Sequence, residues 1–110
     1  MNLRIDFSPE SLNDIEEIKL YLISEFGEKT STDNIKKVMK SIRNLAQFPL
    51  QGTGIWERLG IESDYRYIYI NHNYVFYRVE DESVKIIRIL DARRDFIKIL
   101  FGINIQTDDL

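Results

Sequence analysis

Between residues 9 and 48 the apolar side chains recur every three or four positions, and from 65 to 90 they alternate or cluster in runs rich in aromatic and β-branched residues. No single regular structure satisfies both spacings, because a helix repeats every 3.6 residues and a strand every two. The chain must therefore build helices first and a sheet afterwards, and the two must cover each other.

The start of the helical part is marked by "SPE", with Ser8 as N-cap and Pro9 in the first turn. Before it, "LRIDF" (3–7) alternates as a half-buried strand does. Leu12, Ile15, Ile18 or Lys19, Leu22 and Phe26 form one apolar stripe, and Gly27 is placed for a left-handed cap. Asp14, Glu16, Glu17, Glu25 and Glu28 read as a solvated acidic face. A second helix is expected from about 30–32 to 48, with Ile35, Val38, Met39, Ile42, Leu45 and Ala46 inward and Pro49 stopping it. The two helices should form an antiparallel hairpin.

"PLQGTGIWERLG" reads as a loop with a short strand around 56–59, and Trp56 is expected to pack over the core edge, an exposed position there suggesting an interface instead. "YRYIYI" (65–70), "YVFYRV" (74–79) and "VKIIRIL" (84–90) are separated at hairpin lengths, which predicts an antiparallel meander. Phe96, Ile97, Leu100 and Phe101 return to helical spacing before Gly102. The fold class is α+β, in the order β-α-α-β-β-β-α, a helical hairpin packed on a small, mainly antiparallel sheet. One domain is expected over 1–102, with a frayed tail at 103–110.

Charge bears on function once it is divided along the chain. Residues 1–34 carry three cations against eight anions, whereas 35–50 carry Lys36, Lys37, Lys40 and Arg43 with no anion. Residues 84–101 are again cationic, through Lys85, Arg88, Arg93, Arg94 and Lys98 against Asp91 and Asp95. The total of −3 argues against a protein whose main task is to grip nucleic acid by its phosphates. With no cysteine, thiolate metal sites and disulfides are excluded, and with one histidine, His72, so is a histidine cluster. No metal or cofactor is expected. Neither a secretory signal nor an apolar run long enough for a membrane span is visible, so the expected location is the cytoplasm.

His72, in the turn "NHN", reads as a solvated turn residue. The tyrosines of "YRYIYI" fall on one face, either as a base-stacking platform or, more often for such rows, as half core and half rim. A three-residue turn at 71–73 places Tyr74 beside Ile70 and brings Arg93 and Arg94 near Tyr74 and His72, while Arg66, Arg78 and Lys85 fall at the other end of the meander. Arg93 and Arg94 read either as a turn salt-bridged to Asp91 and Asp95 or as a cationic site.

The run "YRYIYINHNYVFYRVEDESVKIIRILDARRDF", after a helical hairpin ending "LAQFPLQG", resembles the RelE/ParE superfamily of bacterial toxins from type II toxin-antitoxin modules. The resemblance covers residues 3 to about 101. It rests on the element order, on "YR" at 65–66, on "FYRVED" at 76–81 and on "RIL" followed by "RRD" at 88–95. It implies a cognate antitoxin partner, with operator DNA contacted only through that antitoxin, and no membrane role.

Two activities occur in the superfamily. RelE-like members cleave mRNA on the ribosome and carry central-strand cations, an arginine three residues before the tyrosine that matches Tyr77, and a late histidine or tyrosine. Here that arginine position is Tyr74, and Asp95-Phe96-Ile97 follows Arg94. ParE-like members inhibit DNA gyrase by binding it, and "YVFYRVED" and "RIL...RRD" look like that branch, with Asp91 where many members have histidine. The resemblance thus implies a non-catalytic gyrase-binding toxin, with Arg93, Arg94, Lys98, Phe96 and Phe101 contacting target or antitoxin. The alternative is an mRNA endoribonuclease in which Arg93 or Arg94 stabilises phosphate and His72 or Tyr74 moves a proton. A third reading is a non-toxic antitoxin-binding module.

Overall fold

Strand β1 (Arg4–Phe7) ends at Ser8, whose side chain accepts the Ser11 N–H at 3.0 Å and so starts helix α1 (Pro9–Phe26). The computed structural model describes residues 2–103 and places the segments in one five-stranded sheet with a helical hairpin on one face. The tail expected over 103–110 lies, apart from Ile103, outside the described residues.

Helix α2 (Glu28–Asn44) begins directly after Gly27, two residues or more earlier than its sequence signals place it. Gly27 is the whole connection. At φ 92° and ψ 167° it adopts a conformation open only to glycine, donates its N–H to the Ile23 carbonyl and accepts the Ser31 N–H. The Ser31 hydroxyl donates to the Lys19 carbonyl and ties the helices together.

The loop after α2 contains a two-residue strand β2 (Thr53–Gly54) and a short helix α3 (Ile55–Leu59), where a strand was expected. α3 turns Ile55 fully inward and Trp56 outward, so Trp56 is 58% exposed and does not pack over the core edge. Strands β3 (Arg66–Ile70), β4 (Asn73–Val79) and β5 (Ser83–Asp91) form the meander, and the sheet order is β1-β5-β4-β3-β2 with β1 parallel to β5. Helix α4 (Phe96–Phe101) follows, capped by the Asp95 side chain.

The β3–β4 connection has two residues, not three. Asn71 and His72 both have positive φ, the requirement of a two-residue primed turn, and Ile70 therefore pairs with Asn73 and Tyr69 with Tyr74. This register puts Tyr67, Tyr69, Tyr74 and Phe76 on one face and Val75 and Tyr77 on the other.

Each face of the sheet has its own core. On the hairpin side Val75, Tyr77, Val84, Ile86 and Ile89 meet Val38, Ile42 and Leu45 of the α2 segment and Ile15 and Ile18 of α1. On the other side Phe76, Leu90 and Ile55 pack with Tyr67, Tyr74 and the inner face of α4. The apolar stripe read for α1 is only half right. Leu12 and Phe26 are 54% and 62% exposed, while Ser11 and Asp14 are the buried residues of that helix. Among the described residues no helix is long and apolar enough to cross a membrane.

Candidate functional site

β1 pairs with β5 only as far as Phe7 opposite Ile86. Beyond that point no strand among the described residues lies beside this edge of β5, and α1 crosses the gap. Ser8 bonds the Ile86 and Ile87 carbonyls, and Asp14 accepts the Ile89 N–H at 2.9 Å together with a two-point ion pair from Arg88. Asp14 is therefore a structural group and not part of a solvated acidic face.

Because α1 is pinned there by its first half, its second half stands away from the sheet end and leaves a groove of about 780 Å³. Ile18, Tyr21, Leu22 and Phe26 form one wall and Ile89 and Ala92 the other, with Asn71 and His72 from the β3–β4 turn at the end. The Ala92 N–H donates to the His72 carbonyl at 2.8 Å, which locks the chain after β5 to that turn. Asn34 of α2 also lines the groove, and its side-chain oxygen is buried with no hydrogen-bond partner among the described residues.

Arg93 and Arg94 stand on the groove's rim and differ sharply in their engagement. The Asp91 carboxylate accepts the Arg93 backbone N–H, its Nε at 2.9 Å and its Nη2 at 3.2 Å. That contact holds the Asp91 carboxyl below the usual carboxylate range and raises the guanidinium further above its own. The Arg93 guanidinium also lies 5.9 Å from the centre of the Tyr21 ring, within cation–π range. Arg94 is exposed and makes no side-chain ion pair among the described residues. Its expected partner, Asp95, instead accepts the Lys98 N–H and caps α4.

The structure gathers Arg93, Arg94 and His72 at one end of the groove and separates them from the rest of the expected set. Tyr74 lies on the opposite face of the sheet, with its ring 5.4 Å from Phe96 and 5.3 Å from Tyr69. Phe96 also packs on Phe76 at 5.1 Å and Phe101 on Tyr65 at 6.0 Å, so both phenylalanines are engaged in the second core. Lys98 is exposed on α4. The His72 Nδ1 is 3.4 Å from the Tyr69 hydroxyl. Of the tyrosine row, Tyr65 and Tyr67 are packed and only Tyr69 is largely exposed, which fits half core and half rim.

Tyr77 is fully buried, and its hydroxyl accepts the Gly52 N–H at 2.9 Å and donates to the Pro49 carbonyl at 2.7 Å. It clamps the loop after α2 onto β4. Burial pushes its phenol above the ordinary value.

The groove wall was invisible to residue patterns, since Phe26 counts as part of the buried stripe and Tyr21 lies outside it. The signal that was available is the position of Asp14, which shares the 11, 15, 18, 22 row of inward residues.

Comparison with known proteins adds the following. The structure is similar to a chain of the chromosomal ParDE toxin-antitoxin system from P. aeruginosa, with a TM-score of 0.69 and 15% identity over 81% of this chain and 95% of that one. It is also similar to a chain of the toxin-antitoxin complex RelBE2 from Mycobacterium tuberculosis, with a TM-score of 0.55 and 16% identity over 83% and 99%. At these identities the likeness is one of fold. No curated protein matches the sequence. The family model of the ParE toxin of the type II toxin-antitoxin system parDE matches residues 5–96, from β1 into α4 and through both walls of the groove, and the chain belongs to that family.

Proposed function

We propose that this protein is the toxin of a type II toxin-antitoxin pair, that a cognate antitoxin neutralises it, and that it arrests growth by binding DNA gyrase without cleaving RNA. The observation that carries the second half of this reading is the separation of Arg93 and Arg94 from Tyr74. Ribonucleolytic chemistry needs a proton-transfer group within hydrogen-bond reach of the 2′-hydroxyl and cations on the same phosphate. Tyr74 is packed behind the sheet and Tyr77 is sealed in the core, so neither β4 tyrosine reaches the arginines. Of the titratable groups that share the groove with them, Asp91 is held by Arg93 and Tyr21 lies against the same guanidinium; cations on such a rim fit recognition, and charge of this kind sets partner choice and association rate. The same apolar groove, with arginines at its mouth, suits an acidic, amphipathic antitoxin segment. Operator DNA is then reached through the antitoxin.

The test is induced expression in a bacterial host without antitoxin, comparing wild type with Arg93→Ala/Arg94→Ala, with gyrase supercoiling and ribosome-dependent mRNA cleavage assayed on purified protein. Growth arrest with lost supercoiling and intact message is the expected result, relieved by the double substitution. Cleaved message with normal supercoiling would overturn the reading in favour of an endoribonuclease. Absence of any arrest would leave a module that binds antitoxin only.

A further inference from the structure

The helices of the hairpin carry opposite charges on their solvent side. On α2, Lys36, Lys37, Lys40 and Arg43 are all exposed, and no acidic residue occurs between Asp33 and Glu57. On α1, Glu10, Glu16 and Glu17 are exposed, beside Leu12 and Leu20 at 54% and 60% exposure.

The levels of these charges are fixed by Gly27. With a single residue joining two antiparallel helices of 18 and 17 residues, each position of α1 lies level with the one equally far beyond Gly27 on α2. Glu17 is thus level with Lys37, and Glu10 with the residue after Arg43. Within the chain these rows do not pair. The ion pairs among the described residues are Arg4–Asp6, Lys29–Asp33, Arg78–Glu80, Arg88–Asp14 and Arg93–Asp91, and none joins α1 to α2.

A two-fold axis laid parallel to the helices on their outer side solves both rows at once. It places α1 of one copy over α2 of the other, antiparallel and at the same level, so that Glu17 faces the Lys37 of a second copy and the reverse contact repeats it. We propose that the outer face of the hairpin is the interface of such a homodimer, a four-helix layer between two sheets. A nucleic-acid strand laid on α2 would meet the acidic row of α1 alongside it, whereas a second copy presents both charges in the required order. Glu17 borders the groove as well as the outer row, whereas Arg94 stands on the sheet side of α1, outside the contact.

Two helices about 25 Å long side by side offer only ~500 Å², against ~800 Å² per partner in a standard interface. The association is therefore weak and governed by charge, and salt should weaken it roughly tenfold.

Sedimentation velocity of the purified full chain over a range of concentrations, at low and high salt, tests this, with circular dichroism confirming that each variant folds. Wild type is expected to rise from 13.1 kDa toward twice that mass at low salt and to fall back at high salt. Lys36→Glu/Lys37→Glu/Lys40→Glu makes both helices acidic, and Glu16→Lys/Glu17→Lys makes both basic. Each variant alone should stay monomeric, and an equimolar mixture should associate, because both helix contacts are then complementary. A monomeric wild type, association that neither variant disturbs, or a mixture that stays apart would overturn the proposal. Retention of duplex DNA by a monomeric wild type, lost in the lysine variant, would overturn it in favour of a phosphate-binding face.

Discussion

The Asp14 carboxylate receives Arg88 Nε at 2.7 Å and Nη2 at 2.9 Å while also accepting the Ile89 N–H, so one acid on α1 stands in for the strand that β5 lacks beyond Ile86. The Asp14 side chain is 2% exposed and that of Arg88 24%. Removing the acid strands a buried amide and a half-covered cation. Asp14→Ala should therefore lower stability by about 2–4 kcal/mol, below the full penalty for breaking a buried pair because Arg88 retains access to water. Urea unfolding at neutral pH measures it. A loss no larger than that of Asn13→Ala, an exposed neighbour, would show that the pair contributes little.

Tyr77 supports a different junction. Its hydroxyl serves the Gly52 N–H and the Pro49 carbonyl, and Arg66 donates to the Leu50 and Gly52 carbonyls from the other side. Tyr77→Phe leaves both backbone groups short of a partner and should cost about 1–3 kcal/mol. Burial favours the neutral phenol in the folded chain, so its contribution is complete below about pH 10 and is lost as pH rises through the elevated folded-state value. Tyr77→Phe should accordingly flatten the alkaline fall in unfolding midpoint. An unchanged alkaline limb would assign that fall to other groups.

These two side chains mark where the sequence was legible and where it was not. The change of period at the loop after α2 correctly separates hairpin from meander, and Ser8, Pro9 and Gly27 mark helix ends that the structure keeps. Local signals fail where a side chain answers to something distant in sequence. Asp14 resembles its acidic neighbours until β5 is brought beside it, 74 residues away. The three-residue turn expected at 71–73 is one residue too long, since Asn71 and His72 both take positive φ and close the turn by themselves, and that one residue decides which groups share a face. With the observed register Tyr74 faces α4 and Arg93 faces α1, and the groove between α1 and the sheet end arises from packing that no periodicity encodes.

Gly27 offers a test of backbone strain free of steric side effects. A Cβ built there meets nothing within 4 Å, so the cost of Gly27→Ala comes from forcing φ 92° on an L-residue. The expected loss is ~1–3 kcal/mol in thermal or urea unfolding, with little change in the groove's chemistry. Insertion of a second glycine after Gly27 relieves the geometric demand and should cost less than the alanine. If Gly27→Ala is neutral, the single-residue connection is not the constraint that its dihedral angles imply.

Arg93 and Arg94 are adjacent and should behave differently. Arg93 is already committed to Asp91 and lies over Tyr21, whereas Arg94 has no ion pair among the described residues and is free to meet a partner. Arg94→Ala should therefore relieve growth arrest more than Arg93→Ala does, with Arg94→Ala leaving the melting temperature unchanged and Arg93→Ala lowering it slightly, as growth curves, supercoiling titrations and thermal unfolding of the single variants would show. Arg93→Ala has its own signature. The side-chain hydrogen bond from Arg93 is the largest cause holding the Asp91 carboxyl below the ordinary carboxylate value, so the substitution should move it up toward the ordinary range in a carboxyl NMR titration. Because a depressed carboxylate contributes stability above its unfolded value and loses it as pH falls through the folded one, the wild type should lose stability on acidification that Arg93→Ala does not. Equal relief of arrest by the two single variants would mean that the Asp91 contact opens when the partner binds.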